Sequence, residues 1–320
     1  MQQPEWFEQQ EKNKMNIRTK QFQVLTDIDL VWDLMTGVYS HEESGGPAAP
    51  FFEYAVTSPW CDKDYLRLNR FWFDGDLPVA FVFYENPVTA KYFVLRPGYE
   101  SLADEMIEYA GNAYPKFEEP EELVLIRGQK ALIKSAEEHG YYAVYEERDR
   151  IFDFRTGKLE YPLPYGYHFV DPKKADPIKA AKCMWDGFNR EEHGEFTDWD
   201  IPQKNGGLSP HELYQNVLGA SISPSPHSTY RYNVIIADEN ENYVCFSGMW
   251  WVPENHLAYM EPLCTVPEHQ HKGLAAAALS RHDAVLRPLG AEIMTGGGND
   301  FYKKIGYKDE HVVLHFQKKS

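Results

Sequence analysis

The chain has 320 residues, with 32 basic against 49 acidic side chains, so that 32 − 49 leaves a formal charge of −17. Its 43% apolar and 15% aromatic content is too high for a disordered chain, and the length suits two domains, each with its own core. The acidic balance excludes a general nucleic-acid binder, whose phosphate contacts need clustered Lys and Arg.

Residues 1–16 are polar and charged, with Trp6, Phe7 and Met15 the only sizeable apolar side chains, and do not read as a signal peptide. Residues 27–39 carry a helical pattern and 65–73 alternate as a strand does. Two more strands, 77–84 and 90–95, flank Glu85-Asn86-Pro87. A helix over 101–109, a short strand over 123–126 and a helix over 129–138 stopped by Gly140 follow, and 141–154 closes the half with strands. Pro162 and Pro164 each remove a backbone donor and bias the preceding residue to extended structure, which predicts a linker over 156–166. Beyond it the order repeats: strand 167–170, helix 177–188, strands 232–237, 243–251 and 257–266, helix 273–289, strand 292–295, short helix 300–304 and a last strand pair over 307–316. The reading is an α+β protein of two similar domains, 17–155 and 167–320, each a mixed, mostly antiparallel sheet flanked by helices. Residues 1–160 hold 17 bases and 29 acids (17 − 29 = −12) and 161–320 hold 15 and 20 (15 − 20 = −5), so an anionic cofactor fits the second half better.

No apolar run approaches the roughly 20 residues of a spanning helix. Cys61, Cys183, Cys245 and Cys264 contain no CxxC pair and read as reduced thiols of a cytoplasmic protein.

Specific chemistry concentrates in Leu263–Leu289, LCTVPEHQHKGLAAAALSRHDAVLRPL. An extended segment ends at Val266-Pro267, a polar turn reaches Gly273, and an Ala/Leu helix follows. Ala275, Leu279, His282, Leu286 and Leu289 recur at 4,3,4,3 spacing as one buried stripe, and Gly290 is placed to stop the helix. Strand, small-residue turn and helix start together make an anion site, because the first helical N–H groups lack partners and the dipole adds positive potential. Neither GxGxxG nor a Walker A motif is present.

Gln270-His271-Lys272-Gly273-Leu274-Ala275, led in by Val266-Pro267-Glu268, resembles the pyrophosphate loop of the Gcn5-related N-acetyltransferase (GNAT) superfamily, Arg/Gln-x-x-Gly-x-Gly/Ala. Asn299-Asp300-Phe301-Tyr302, with Gly306-Tyr307 beyond, resembles that superfamily's second signature. The resemblance rests on motifs over about 165–320 and on element order over 17–155, which looks like the degenerate first half of a tandem protein. It implies acetyl-CoA as co-substrate and no metal. Backbone groups of Gln270, His271, Lys272, Gly273, Leu274 and Ala275 would hold the pyrophosphate. Those of Leu263, Cys264 and Val266 would pair with the pantetheine arm, and Asn299 would either bond that arm or cap its own helix. Tyr302 is the implied general acid toward the departing thiolate.

An attacking amine must be neutral, so a base is needed. Glu261, just ahead of the loop with Pro262 to bend its strand, is the leading carboxylate; Glu254, His256 and the Ser320 carboxylate are alternatives. His269 and His271 are too few for a zinc site, and His282 reads as a core histidine. Residues 189–228 gather Glu191, Glu192, Glu195, Asp198 and Asp200 beside Phe196 and Trp199, which suits a cationic amine or, equally, a solvated loop. In the first half, Leu95–Ala103 offers Glu100 and Asp104 where phosphates would sit, predicting one cofactor site per chain. The expectation is an N-acetyltransferase acting directly on a primary amine of a small molecule or peptide. The alternatives are a non-catalytic acyl-CoA sensor and an enzyme using another acyl donor. Two halves in one chain favour a monomer.

Overall fold

The computed structural model describes residues 16–42, 44–188, 194–202, 208–218 and 225–318. Alternating apolar segments of the first half become β1 (Ile17–Gln21), β2 (Arg70–Asp74), β3 (Leu77–Tyr84), β4 (Ala90–Leu95), β5 (Glu122–Ile126) and β6 (Tyr141–Asp153). Those of the second become β7 (Tyr167–Val170), β8 (Val234–Asp238), β9 (Tyr243–Val252), β10 (Leu257–Thr265), β11 (Ile293–Thr295) and β12 (Asp309–Lys318). The helices are α1 (Ile28–Val38), α2 (Ala49–Thr57), α3 (Ala103–Ala113), α4 (Lys130–Glu138), α5 (Pro177–Gly187), α6 (Pro210–Asn216), α7 (Leu274–Leu286) and α8 (Asp300–Ile305).

All twelve strands form one mixed sheet in the order β1-β2-β3-β4-β5-β12-β6-β11-β10-β9-β8-β7. Each half supplies antiparallel strands and one parallel pair, β4 with β5 and β10 with β11. The halves meet by exchanging their last strands. β12, expected as a strand pair, is a single strand lying between β5 and β6, with Val313↔Ile126 on one side and Asp309↔Ile151 through Lys318↔Tyr141 on the other. The far end of β6 crosses to β11, with Ile293↔Asp153. Sequence order alone keeps each closing strand at home; the length of β6, thirteen residues, lets it serve both halves.

Three elements are additional to the sequence reading. β1 is a short edge strand pairing with β2. Helix α2 follows a Gly/Pro-rich run that reads as loop, yet Pro50 in its first turn has helical φ and needs no N–H there. Helix α6 opens with a capping box between Ser209 and Glu212, a start signal present in the sequence. The alternation over 65–73 conceals a 3-10 turn at Leu66–Leu68 before β2 begins.

Helix α2 lies on the sheet, its Phe52 ring edge-on to Phe81 and Phe83 at 5.6 and 5.1 Å. Its buried Glu53 accepts from the His227 backbone N–H at 2.8 Å and pairs with His227 Nδ1 at 2.7 Å, tying the halves together. Helix α7 is buried around most of its first two turns, more than a single stripe, while Leu289 lies in the turn beyond its end and is 47% exposed. Gly290, at φ +92°, closes that turn. The chain after β6 is strapped to α7: Leu159 N–H donates to buried Asp283 at 2.8 Å, Tyr161 N–H to Ser280 Oγ at 2.9 Å, and Arg287 bonds Asp283 and the Phe154 and Gly157 carbonyls.

Candidate active site

The site begins where two parallel strands part. β10 and β11 pair only at Leu257↔Ile293 and Ala258↔Met294. Met260 N–H then donates to Thr295 Oγ1 at 2.8 Å, and beyond it β10 continues along β9 alone. A bulge sets Glu261 and Pro262 opposite the single residue Gly248, where any side chain would strike the Glu261 carbonyl. The parting opens a cleft of about 450 Å³ whose walls include Leu263, Cys264, Gln270, His271, Gly273, Leu274, Ala275, Asn299 and Tyr302. Nine sequence-predicted residues therefore meet in one place. Val266 and Lys272 do not line it, and both Val266 backbone groups are used, N–H to Val244 at 2.9 Å and C=O from His269 at 2.9 Å.

The loop into α7 has two left-handed residues, His271 at φ +57° and Gly273 at φ +88°. Gly273 is the N-cap, so the N–H groups of the first helical turn have no carbonyl beneath them. A Cβ at Gly273 would meet open space, so the backbone there is bare toward the cleft. The Gln270 N–H bonds Pro267 and its side chain bonds the Thr265 carbonyl at 3.1 Å, which leaves the amides from His271 onward as the free set. These donors, the unpaired edge of β10 and the cleft between them fit a pyrophosphate joined to an extended arm.

Tyr302 projects from α8, 5% exposed, with its ring against Tyr307. Gly296 gives these two rings their room, since a Cβ there would collide with both. Burial, then the charges of Glu261 and Asp149, push the Tyr302 hydroxyl well up, so it holds its proton at neutral pH. Asn299 caps α8 through Phe301 N–H at 3.0 Å while also lining the cleft.

Glu261 is part-exposed and lines two further cavities, of about 350 and 340 Å³, which share Phe51, Glu85, Tyr259 and Glu261. Burial and then the Asp149 charge raise its carboxyl from 4.5 to about 7. Burial, then Glu261 and Glu147, raise Glu85 to about 8; burial and then Glu147 raise Asp149 to about 6. Among the described residues no ion pair forms to Glu85, Asp149 or Glu261. Glu254 and His256 line none of these spaces, and Ser320 lies outside the described residues.

The first half is closed at the matching place. The Gly98 N–H donates to the Glu100 carboxylate at 2.9 Å. Between β4 and β5, buried Gln129 accepts from Ile126 N–H at 2.9 Å and donates to the Phe93 and Gly45 carbonyls at 2.8 and 2.9 Å; Leu95 N–H also takes Gly45. The gap that stands open beside β10 is here plugged by the chain itself.

Of the expected acceptor stretch, Leu208, Leu213 and Asn216 line the first cavity, whereas Glu195, Asp198 and Asp200 line neither; Glu191 and Glu192 lie outside the described residues. The facing acids are Glu85, Glu147 and Asp149, which the sequence did not single out because strand exchange, not chain proximity, brings them to Glu261. His282 is buried and bonded to Ser247 Oγ at 2.9 Å, with burial holding its ring neutral. His269 meets the Tyr167 hydroxyl at 2.9 Å. Among the described residues no group of three or more His, Cys, Asp or Glu could hold a metal ion, and no helix is long and apolar enough to cross a membrane.

No protein-family model and no curated protein matches the sequence. Solved structures do match its fold. A tandem GNAT protein from the clavulanic acid biosynthesis pathway, solved without AcCoA, is 12% identical over 95% of this chain and 99% of its own, with a TM-score of 0.56. A GCN5-related N-acetyltransferase from Sphaerobacter thermophilus is 12% identical over 94% of this chain and 95% of its own, with a TM-score of 0.54.

Proposed function

We propose, on the premise that this chain has the tandem fold of the GCN5-related N-acetyltransferases, that it transfers an acetyl group from acetyl-CoA directly to a primary amine of a small molecule or peptide. The supporting observation is that the cleft is lined by a protonated phenol, Tyr302, which feels the charge of Glu261, a carboxylate poised near neutrality two residues ahead of Leu263 in the cleft wall. Acetyl-CoA supplies an activated acyl thioester. The amides from His271 to the first turn of α7 bind its diphosphate, and Leu263 and the N–H of Thr265, whose carbonyl Gln270 holds, offer the edge of β10 to its arm. Glu261 accepts a proton as the amine nitrogen bonds to the acyl carbon, directly or through water in the cavity it lines. Tyr302 gives its proton to the sulfur as the carbon–sulfur bond breaks. A non-catalytic binder has no use for a base and an acid flanking the end of the cleft.

The division follows: residues 17–155 are the closed half, 167–320 the half that takes the co-substrate, one molecule per chain. Four buried free thiols support a cytoplasmic setting, and a sheet shared by both halves supports a monomer. Calorimetric titration of acetyl-CoA tests the reading, with about one site per chain expected in the wild type. Gly273→Glu, which points a carboxylate into the open space at the loop, abolishes binding. Undiminished binding by that variant places the co-substrate elsewhere.

A further inference from the structure

The cavities beside Glu261 contain more recognition chemistry than a simple amine uses, and what they contain bears on the acceptor, given the acetyl-transfer reading above. Glu85 shares both cavities with Glu261, takes no part in the proton transfers, bonds the Tyr92 hydroxyl, and is met by no cation among the described residues. The 350 Å³ cavity is walled by the rings of Phe51, Tyr54 and Trp60 from the closed half, with Tyr259 at its base. Such a wall suits methylene groups and, through ring faces, a cation.

A separate observation comes from α6. Asn216 is 4% exposed and lines this cavity, yet its Oδ1 has no hydrogen-bond donor. Its Nδ2 donates to the Tyr54 hydroxyl at 3.5 Å, which frees the phenolic proton to turn toward the two carboxylates whose charges it feels. A buried carbonyl oxygen without a donor is rare in a folded protein and points to a partner supplied from outside. In a cavity shared with two carboxyl groups that no described cation meets, the matching partner is an N–H of a cationic nitrogen.

We propose that the acceptor is an aliphatic diamine whose reacting nitrogen lies at Glu261 while its second, protonated nitrogen is held by Asn216 Oδ1, the Glu85 carboxylate and the aromatic wall. The incoming cation favours the ionised form of Glu85, whose pairing then orients the molecule, and the rings cover its methylenes.

The test is equilibrium binding, without turnover, of 1,4-diaminobutane and n-butylamine and of 1,6-diaminohexane and n-hexylamine, to the wild type, Glu85→Gln and Asn216→Leu. At pH 7.5 at least one diamine binds ten times or more tightly than its matched monoamine. Each substitution cuts that advantage at least fivefold while changing monoamine binding less than threefold. Equal affinities for every pair in the wild type, undetectable binding included, overturn the proposal, as does an advantage both variants retain. If Asn216→Leu does not fold, Glu85→Gln decides alone. Acetyl-CoA is titrated separately: its failure to bind overturns acetyl transfer, whereas a diamine preference lost in Glu85→Gln still establishes the dicationic cavity.

Discussion

Asp149→Asn is the most informative single change, because it alters the proposed base without touching it. Glu261 rises from 4.5 to about 7, a difference of 7 − 4.5 = 2.5, with burial the larger cause and the Asp149 charge the second. The Asp149 share is therefore under half of that rise, at most about one pH unit. A general base works deprotonated, so kcat/KM climbs as pH rises through about 7 and then levels. In the variant the climb moves to lower pH by at most about one unit. At pH 6, where Asp149 is itself about half protonated, the deprotonated fraction of Glu261 then rises from roughly one-tenth by at most about fivefold, relative to each enzyme's plateau. The assay is thiol release from acetyl-CoA at pH 5.5 to 9 with one amine throughout, so that the amine's own titration cancels between the two proteins. Stability supplies a second readout. A carboxyl whose folded value lies above its unfolded one costs stability as pH rises through that folded value. Removing Asp149 thus raises the melting temperature at pH 8 more than at pH 5. A limb that stays in place, or moves upward, refutes the assignment of Glu261 and Asp149 to one electrostatic unit.

Tyr302→Phe keeps the packed ring and removes the proton, so kcat falls about a hundredfold while the acetyl-CoA dissociation constant changes less than about twofold; unchanged kcat excludes the phenol as the acid. Gln129→Leu strips partners from the Ile126 N–H and Phe93 carbonyl and costs about 2 kcal/mol in urea unfolding, with acetyl-CoA stoichiometry still one; wild-type stability would show that the plug holds nothing. Burial pulls the His227 imidazole down, but its bond to Glu53 and the charges of Glu53, Asp29 and Glu254 outweigh it and raise the net value above 6.5. Its stabilising contribution is therefore complete below 6.5 and lost as pH rises through the higher folded value, so the melting temperature falls across that window in the wild type and less steeply in His227→Gln; parallel curves exclude this pair as the source.

The cofactor loop was legible because anion binding by a helix start needs consecutive residues: the strand end, the left-handed His271 and Gly273 and the small side chains all lie within about ten positions. Glu261 was legible for the same reason, two residues ahead of Leu263. Asn216, Glu85 and Asp149 were not. Glu85 follows the third strand of one half and Asp149 lies on a strand that serves both, so no local period marks either. Helix α2, which carries Phe51 and Tyr54 to the site, is hidden behind the run Gly45-Gly46-Pro47, whose composition signals a turn. The order of elements was read as two copies side by side; the exchange of closing strands is a property of long-range pairing, and pairing has no signature in one strand's residues.

That exchange also explains why a half with a plugged gap is retained in the fold. Gln129 and Glu100 fill the places that a pantetheine arm and a diphosphate would use, so residues 17–155 contribute no second cleft. What they contribute is wall. With β12 seated between β5 and β6, and β6 running on to β11, the sheet crosses from one half to the other without an edge, and α2 lies over the crossing. Phe51, Tyr54, Trp60 and Glu85 from the closed half then face Tyr259 and Glu261 from the open half across one cavity. The closed half thus supplies part of the wall around Glu261. Loosening the contact between Glu53 and His227 reaches the base through solvent, lowering its pKa before any strand unpairs.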